Sequence, residues 1–197
     1  KNANTILKTE SNERPRPFPT VVEFSGVKSF KERLISHVSG KLSLKCGTGK
    51  VMNKIVTVLW SLLSSDVPNI HIDDLINGLD TELGFQIGPK EIKGVLATFN
   101  DDKTENISLP EMTDYLRGGL NPRSGELVDI ILSRINTGDD GSVSEMDVKS
   151  LYKGTDDIAI NKAGGFVTID DLYEYFTDCS AELGTPEKFE SMLNDWM

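Results

Sequence analysis

Apolar side chains recur at helical spacing through most of the chain and predict a series of amphipathic helices. The longest series predicts a buried helix over residues 51–63, and a shorter series predicts a helix over residues 28–38. The pattern therefore predicts an all-α fold. The apolar positions of the later helices are Ile92, Val95, Leu96 and Phe99; Met112, Tyr115 and Leu116; Leu127, Ile130, Ile131 and Ile135; and Met146, Val148 and Leu151.

The two ends of the chain differ from this pattern and from each other. Residues 1–34 form a basic arm whose segment RPRPFPT contains three prolines, which favour an extended path. Residues 185–197 predict a closing helix that Thr185 caps and Pro186 begins. The apolar side of that helix could pack within the chain or dock on a partner, and packing within the chain is favoured. That side consists of Phe189, Met192, Leu193 and Trp196.

Two polar segments between the predicted helices repeat each other. Residues 100–111 (the second loop) and residues 136–147 (the third loop) start 36 positions apart. Both have the length of an EF-hand loop, in which oxygens at positions 1, 3, 5, 7, 9 and 12 hold a cation and a glycine at position 6 makes the turn. The two loops are therefore candidate calcium or magnesium sites.

Each of these loops has one clear defect. Glu105 stands at position 6 of the second loop, where glycine belongs, and Gly138 supplies no side-chain ligand at position 3 of the third loop. We therefore expect weak metal binding at most, with the shorter closing Asp147 favouring magnesium. The candidate ligands of the second loop are Asn100, Asp102, Thr104, the Asn106 carbonyl, Ser108 through water, and Glu111. Those of the third loop are Asn136, Asp140, the Ser142 carbonyl, Ser144 and Asp147.

Two further segments resemble such loops less well. Residues 64–74 (the first loop) close on Asp74 with Ile70 at the apolar position 8, but they are one residue short and carry Pro68 in the turn. Residues 160–171 (the fourth loop) place Val167 at position 8 and Asp171 at position 12, with no carboxylate before the end. We expect neither loop to bind a cation.

The 197 residues carry a formal net charge of −10, and it is unevenly distributed. Residues 1–34 hold seven Lys or Arg against four acids, whereas residues 35–197 hold fourteen against twenty-seven. The acidic body disfavours nucleic acid and anionic membranes, and no apolar run is long enough to span a bilayer. We therefore expect a cytoplasmic protein without a membrane span, which binds protein partners through its arm and binds no nucleic acid. The distant Cys46 and Cys179 predict two reduced thiols.

No enzyme activity is predicted. The segment GTGK at residues 47–50 lacks the first glycine and the Ser or Thr of a phosphate-binding loop, so it predicts a turn before a helix. His37 and His71 have no cysteine or serine at a motif spacing, and His71 is expected to be merely exposed. Two acidic pairs are predicted to open helices, where the helix dipole favours them: Asp73 with Asp74, and Asp170 with Asp171.

Residues 44–197 resemble the calcyphosine family, including the calcyphosine-like proteins. The resemblance rests on the segments LKCGTGK, TFNDDKTENISLPEMTDYLRGGLNPRSGE, NTGDDGSVSEMDVKSLY, GGFVTIDDLYEYF and EKFESMLNDWM, in that order. It implies four EF-hands in two pairs, a closing helix, no enzyme activity and a calcium-linked role, often in ciliated cells. The chain departs from the family where aspartates have become Ser64, Asn100, Asn136 and Gly138, and where the helix that should enter the fourth loop is short.

The expected organisation is a basic arm over residues 1–34, a first EF-hand pair over residues 35–118, and a second pair with the closing helix over residues 119–197. Two functions remain open. The first is a non-catalytic structural or adaptor protein of a larger assembly, such as a ciliary or flagellar axoneme. The second is a calcium-responsive sensor that binds calcium weakly at the second or third loop. No other cofactor is predicted.

Overall fold

The computed structural model describes residues 30–63, 68–99, 104–135, 142–154 and 167–197. These residues form nine α-helices, four short strands and one 3-10 helix, so this part of the chain is mostly helical, as its pattern predicts. The first half (residues 30–117) contains α1 (Phe30–Leu42), α2 (Lys50–Ser61), β1 (Asn69–His71), α3 (Ile72–Leu83), α4 (Pro89–Phe99), β2 (Asn106–Ser108) and α5 (Leu109–Arg117). The second half (residues 120–197) contains α6 (Pro122–Leu132), β3 (Ser142–Val143), α7 (Glu145–Leu151), β4 (Val167–Thr168), α8 (Ile169–Leu183), α9 (Pro186–Leu193) and the 3-10 helix (Asn194–Trp196).

Local sequence explains where most of these helices begin and end. The helices α5, α6 and α9 each have a proline in the first turn, where the missing N–H costs nothing. Left-handed glycines, Gly84 and Gly184, end α3 and α8. The two acidic pairs lie in the first turns of α3 and α8, which confirms that prediction. Side chains that accept a hydrogen bond from the first turn of their helix include Ser108, Asn121, Ser144, Thr168 and Thr185.

Each half has its own hydrophobic core. Buried side chains of α1 to α5 and of β1 and β2 form one cluster, and those of α6 to α9 and of β3 and β4 form another. Ala181 of α8 is the exception, because it belongs to the second half in sequence but packs in the first cluster. The helix α8 also contacts α2 and α5, so it joins the two halves.

The closing helix packs within the chain, as predicted. Phe189, Leu193 and Trp196 are buried in the second core. The Trp196 ring lies 5.0 Å from that of Phe176 and 4.9 Å from that of Tyr152, measured between centroids. The regular helix ends at Leu193, however, and Trp196 reaches the core from the 3-10 turn that follows.

The structure corrects the predicted buried faces of two helices. Ile130 and Met146 are expected among the buried side chains, yet they are 46% and 79% exposed. The core-facing positions of α6 include Val128 and, three and four residues later, Ile131 and Leu132. Ile130 falls on the opposite side of that helix. In the seven-residue α7, Val148 is buried in the core and Leu151 packs against it.

The first helix begins earlier than the predicted boundary of the arm. It starts at Phe30, so residues 30–34 belong to α1 rather than to the arm, because Leu34 and Ile35 are buried in the first core. The rest of the predicted arm, residues 1–29, lies outside the described residues. Both cysteines are free thiols, as expected. None of the described helices is long and apolar enough to cross a membrane.

Candidate functional site

The first and second loops meet in a short antiparallel strand pair. The strands β1 and β2 place Ile70 opposite Ile107, and both side chains are buried. Backbone hydrogen bonds extend the pairing on either side. The Ile72 N–H donates to the Glu105 carbonyl at 2.9 Å, and the Leu109 N–H donates to the Pro68 carbonyl at 2.9 Å. The apolar residues predicted at position 8 of the two loops are therefore the ones that join them.

The third and fourth loops meet in the same way. The strands β3 and β4 place Val143 opposite Val167, and both side chains are buried in the second core. The structure thus brings the four candidate loops together as two neighbouring pairs, first with second and third with fourth. The rest of the fourth loop before Val167, residues 160–166, lies outside the described residues.

The C-terminal part of the second loop surrounds the start of α5. Among its candidate ligands, Asn100 and Asp102 lie outside the described residues. Thr104 and Asn106 are exposed and bonded to each other, because the Asn106 amide donates to Thr104 Oγ1 at 3.0 Å. Glu111 lies in the first turn of α5 with an exposed side chain, and its N–H donates to the Ser108 hydroxyl at 3.4 Å.

Glu105 takes the conformation that the loop requires of position 6. Its φ angle is 59°, in the left-handed region that glycine adopts without cost. Its carboxylate lies 3.7 Å from Nε2 of His71, a contact between the first and second loops. His71 also caps α3, since its Nδ1 accepts from the Asp73 N–H at 3.3 Å. The sequence reasoning missed both roles of His71, although its place just before the Asp73–Asp74 pair is a typical capping position.

The closing acid of the third loop takes part in a helix cap. Asn136 and Asp140 lie outside the described residues, whereas Ser142 lies in β3 and Asp147 in the first turn of α7. The Ser144 hydroxyl donates to the Asp147 carboxylate and accepts from the Asp147 N–H at 3.1 Å. One Asp147 oxygen is thereby occupied by the residue that caps the same helix.

The fourth loop closes in a full capping box. The Thr168 N–H and hydroxyl both donate to Asp171 Oδ2 at 2.8 Å, and the Asp171 N–H donates back to the hydroxyl at 3.1 Å. This arrangement fixes the start of α8 directly after β4. Asp171 is thus engaged by its own helix terminus.

The described residues contain no group of three His, Cys, Asp or Glu side chains that converges as a metal site. They include the C-terminal part of the second loop and of the third loop. Each part joins a neighbouring loop through a strand pair and leads into a helix. Any cation bound there would need the oxygens of residues 100–103 or 136–141 in addition.

No protein-family model matches the chain, and no curated protein matches it. The resemblance to the calcyphosine family therefore stays a prediction that rests on the sequence segments given above.

Proposed function

We propose that this chain is a non-catalytic EF-hand protein that acts as a structural or adaptor component of a larger assembly. The observation that carries the proposal is the strand pairing of the four candidate loops at their position 8 residues, Ile70 with Ile107 and Val143 with Val167. Paired loops of this kind hold four helices around one core whether or not a cation is present. The pairing supports four EF-hands in two pairs, in which the main role of the loops is to hold the helices together.

The helix caps support a structural role for the loops. The closing acids Asp147 and Asp171 both accept from the hydroxyl that caps their own helix, Ser144 or Thr168. A carboxylate that must also coordinate a cation would share its oxygens with that hydroxyl. Together with Glu105 at position 6 and Gly138 at position 3, these caps favour loops that work as turns.

The assembly role rests on the uneven charge of the chain and on the family resemblance. A basic arm precedes an acidic body, which suits docking of the arm on an acidic protein surface. The calcyphosine resemblance points to a cytoplasmic protein of a cilium or flagellum, with the axoneme as the assembly.

Removing the arm tests this proposal. Because α1 begins at Phe30, deletion of residues 1–29 spares every described helix. We expect the truncated chain to keep its melting temperature and to lose co-sedimentation with isolated axonemes. A full-length variant with Arg14→Glu and Arg16→Glu is the matched control for charge, and it should bind more weakly than the wild type. Undiminished co-sedimentation of the truncated chain would contradict the proposal.

The second candidate function is a calcium-responsive sensor, favoured by Glu111 at the closing position of the second loop and by its exposed side chain. Calorimetric titration of the metal-stripped chain with calcium, then with magnesium, separates the two functions. Saturable heat that Glu111→Gln abolishes would support a sensor at the second loop, and loss of heat in Asp147→Asn would assign the third. No heat with either cation would leave the structural role.

A further inference from the structure

The helix α8 makes polar contacts with the first half, and its C-terminal turn lies against the loop before α2. Glu182 reaches the loop before α2, where its Oε2 accepts from the N–H groups of Gly47 at 2.7 Å, Thr48 at 3.2 Å and Gly49 at 3.1 Å. Its Oε1 accepts from the Met52 N–H at 2.9 Å. Four backbone donors of the first half thus bind one carboxylate of the second half.

The sequence of this loop explains how it can bind a carboxylate. Gly47 and Gly49 have φ angles of 86° and 72°, which turn successive N–H groups toward the same side. Gly49 is the N-cap residue of α2 and provides no side-chain cap. Glu182 therefore supplies the cap that α2 lacks, from more than 130 residues away in sequence. The segment GTGK forms the predicted turn, and the anion it holds is part of the same chain.

A second carboxylate on the same face of α8 makes another contact between the halves. Asp178 accepts from Nε of Arg117, at the end of α5, at 2.9 Å. Glu174 lies 3.3 Å from the same guanidinium, at the exposed edge of the contact. Asp178 and Glu182 are both buried, at 4% and 6% exposure.

These contacts lie between the two hydrophobic cores, and beside them Leu183 of α8 packs closely against Gly47 of the first half. The hydrophobic cores of the two halves are separate clusters, and Ala181 is the buried α8 side chain that joins the first one. A groove of about 460 Å³ runs beside the contact, with Lys45 and Cys46 of the first half on one side and Lys188 and Met192 of the second half on the other. Separating the halves would therefore break these hydrogen bonds and ion pairs and withdraw Ala181 from the first core, while the other buried side chains of each core stay within their own half.

We propose that the α8 face carrying Asp178 and Glu182 is a releasable latch, which holds the two halves together and whose release lets them separate as intact units. This inference does not depend on whether the loops bind a cation or on what the arm binds. It predicts that weakening the latch separates the two halves while each half stays folded. A purely structural role for Glu182 predicts instead that both halves lose stability together.

Amide hydrogen exchange on the full chain distinguishes these outcomes. In Glu182→Gln and in Glu182→Ala we expect exchange at residues 47–52 to accelerate about tenfold or more, because the four donors lose their anionic acceptor. Exchange in α3 and α6, which lie inside separate cores, should stay unchanged. The control is Glu190→Gln, which removes an ion pair with Arg123 inside the second half and should leave residues 47–52 protected.

A double variant with Asp178→Asn and Glu182→Gln completes the test. It is measured by small-angle scattering and by calorimetry. We expect a larger radius of gyration and two resolved thermal transitions, against one for the wild type. Equal acceleration of exchange in both halves, or a single lowered transition with an unchanged radius, would overturn the latch. A variant that fails to fold would also overturn the latch, because it would show that a hydrophobic core cannot form without Glu182.

Discussion

The carboxylate of Glu105 lies 3.7 Å from the imidazole Nε2 of His71, across the junction of the first and second loops. Glu105 holds this position in a left-handed conformation, with a φ angle of 59°. A conformation of this kind costs a residue with a side chain about 1 to 2 kcal/mol relative to glycine. The contact with His71 is largely exposed, so it offsets little of this free-energy cost.

We predict that Glu105→Gly raises the calcium affinity of the second loop, because glycine makes the turn without strain. Calorimetric titration of the metal-stripped variant measures the effect. The control is Ser43→Gly, since Ser43 also has a positive φ angle, 52°, but lies outside the loops. Both changes should alter stability by less than about 1 kcal/mol, because the greater unfolded-state entropy of glycine offsets much of the relieved strain. Only the first should alter calcium binding. Absence of a calcium response in Glu105→Gly would mean that the second loop is inert.

The strand pair should matter more to stability than its length suggests. Ile107 is fully buried opposite Ile70, between helices that approach from both loops. We predict that Ile107→Ala lowers the free energy of unfolding by about 2 to 4 kcal/mol through lost burial and a residual cavity. Urea denaturation measures the change. Ile130→Ala serves as the control because its side chain is 46% exposed, and it should cost less than about 1 kcal/mol.

The apolar position 8 residues and the helix starts can be predicted from the sequence because they depend on local patterns, whereas the pairing of the loops is implied only by the family resemblance. A position 8 apolar residue and a helix cap each lie within one short segment, so Ile107 and Ser108 can be recognised from their neighbours alone. The same holds for the glycine and proline boundaries of helices. The face of α6 is harder, because Ile130 and Ile131 are adjacent apolar residues and only the packed core shows which one is buried.

The latch could not be predicted from local patterns. Asp178 and Glu182 look like ordinary helical acids, and their partners Arg117 and Met52 lie 61 and 130 residues away. One signal was present, because both acids share a helix face with the buried Tyr175 and Cys179. An acid on an apolar face indicates a buried partner, but it does not indicate which one.

The closing 3-10 turn should carry much of the stability of the second core. Trp196 is 1% exposed and contacts the rings of Tyr152, Tyr175 and Phe176. We predict that Trp196→Ala lowers the free energy of unfolding by about 3 to 5 kcal/mol. Thermal unfolding followed by circular dichroism measures it, with Met197→Ala as the exposed neighbouring control. Equal melting temperatures for the two variants would contradict the packing described for the closing segment.

The buried latch should also make stability depend on pH. Burial raises the pKa of Asp178 to about 6, against the opposing effect of Arg117, and the neighbouring Glu182 and Glu174 act in the same direction as burial. Burial likewise raises the pKa of Glu182, although backbone N–H groups of Met52, Gly47 and Gly49 oppose the rise. A raised pKa means that the folded chain binds a proton more readily than the unfolded chain does.

The contribution of Asp178 is therefore fully present below about pH 4 and is lost as the pH rises through about 6. A shift of this size corresponds to about 3 kcal/mol. We predict that the stability difference between the wild type and Asp178→Asn, measured by urea unfolding, is larger near pH 4 than near pH 7. Ile130→Ala, which removes no titratable group, is the control and should differ from the wild type by a nearly constant amount over the same range. A difference for Asp178→Asn that grows as the pH rises would show that the Arg117 ion pair outweighs the cost of burying the charge.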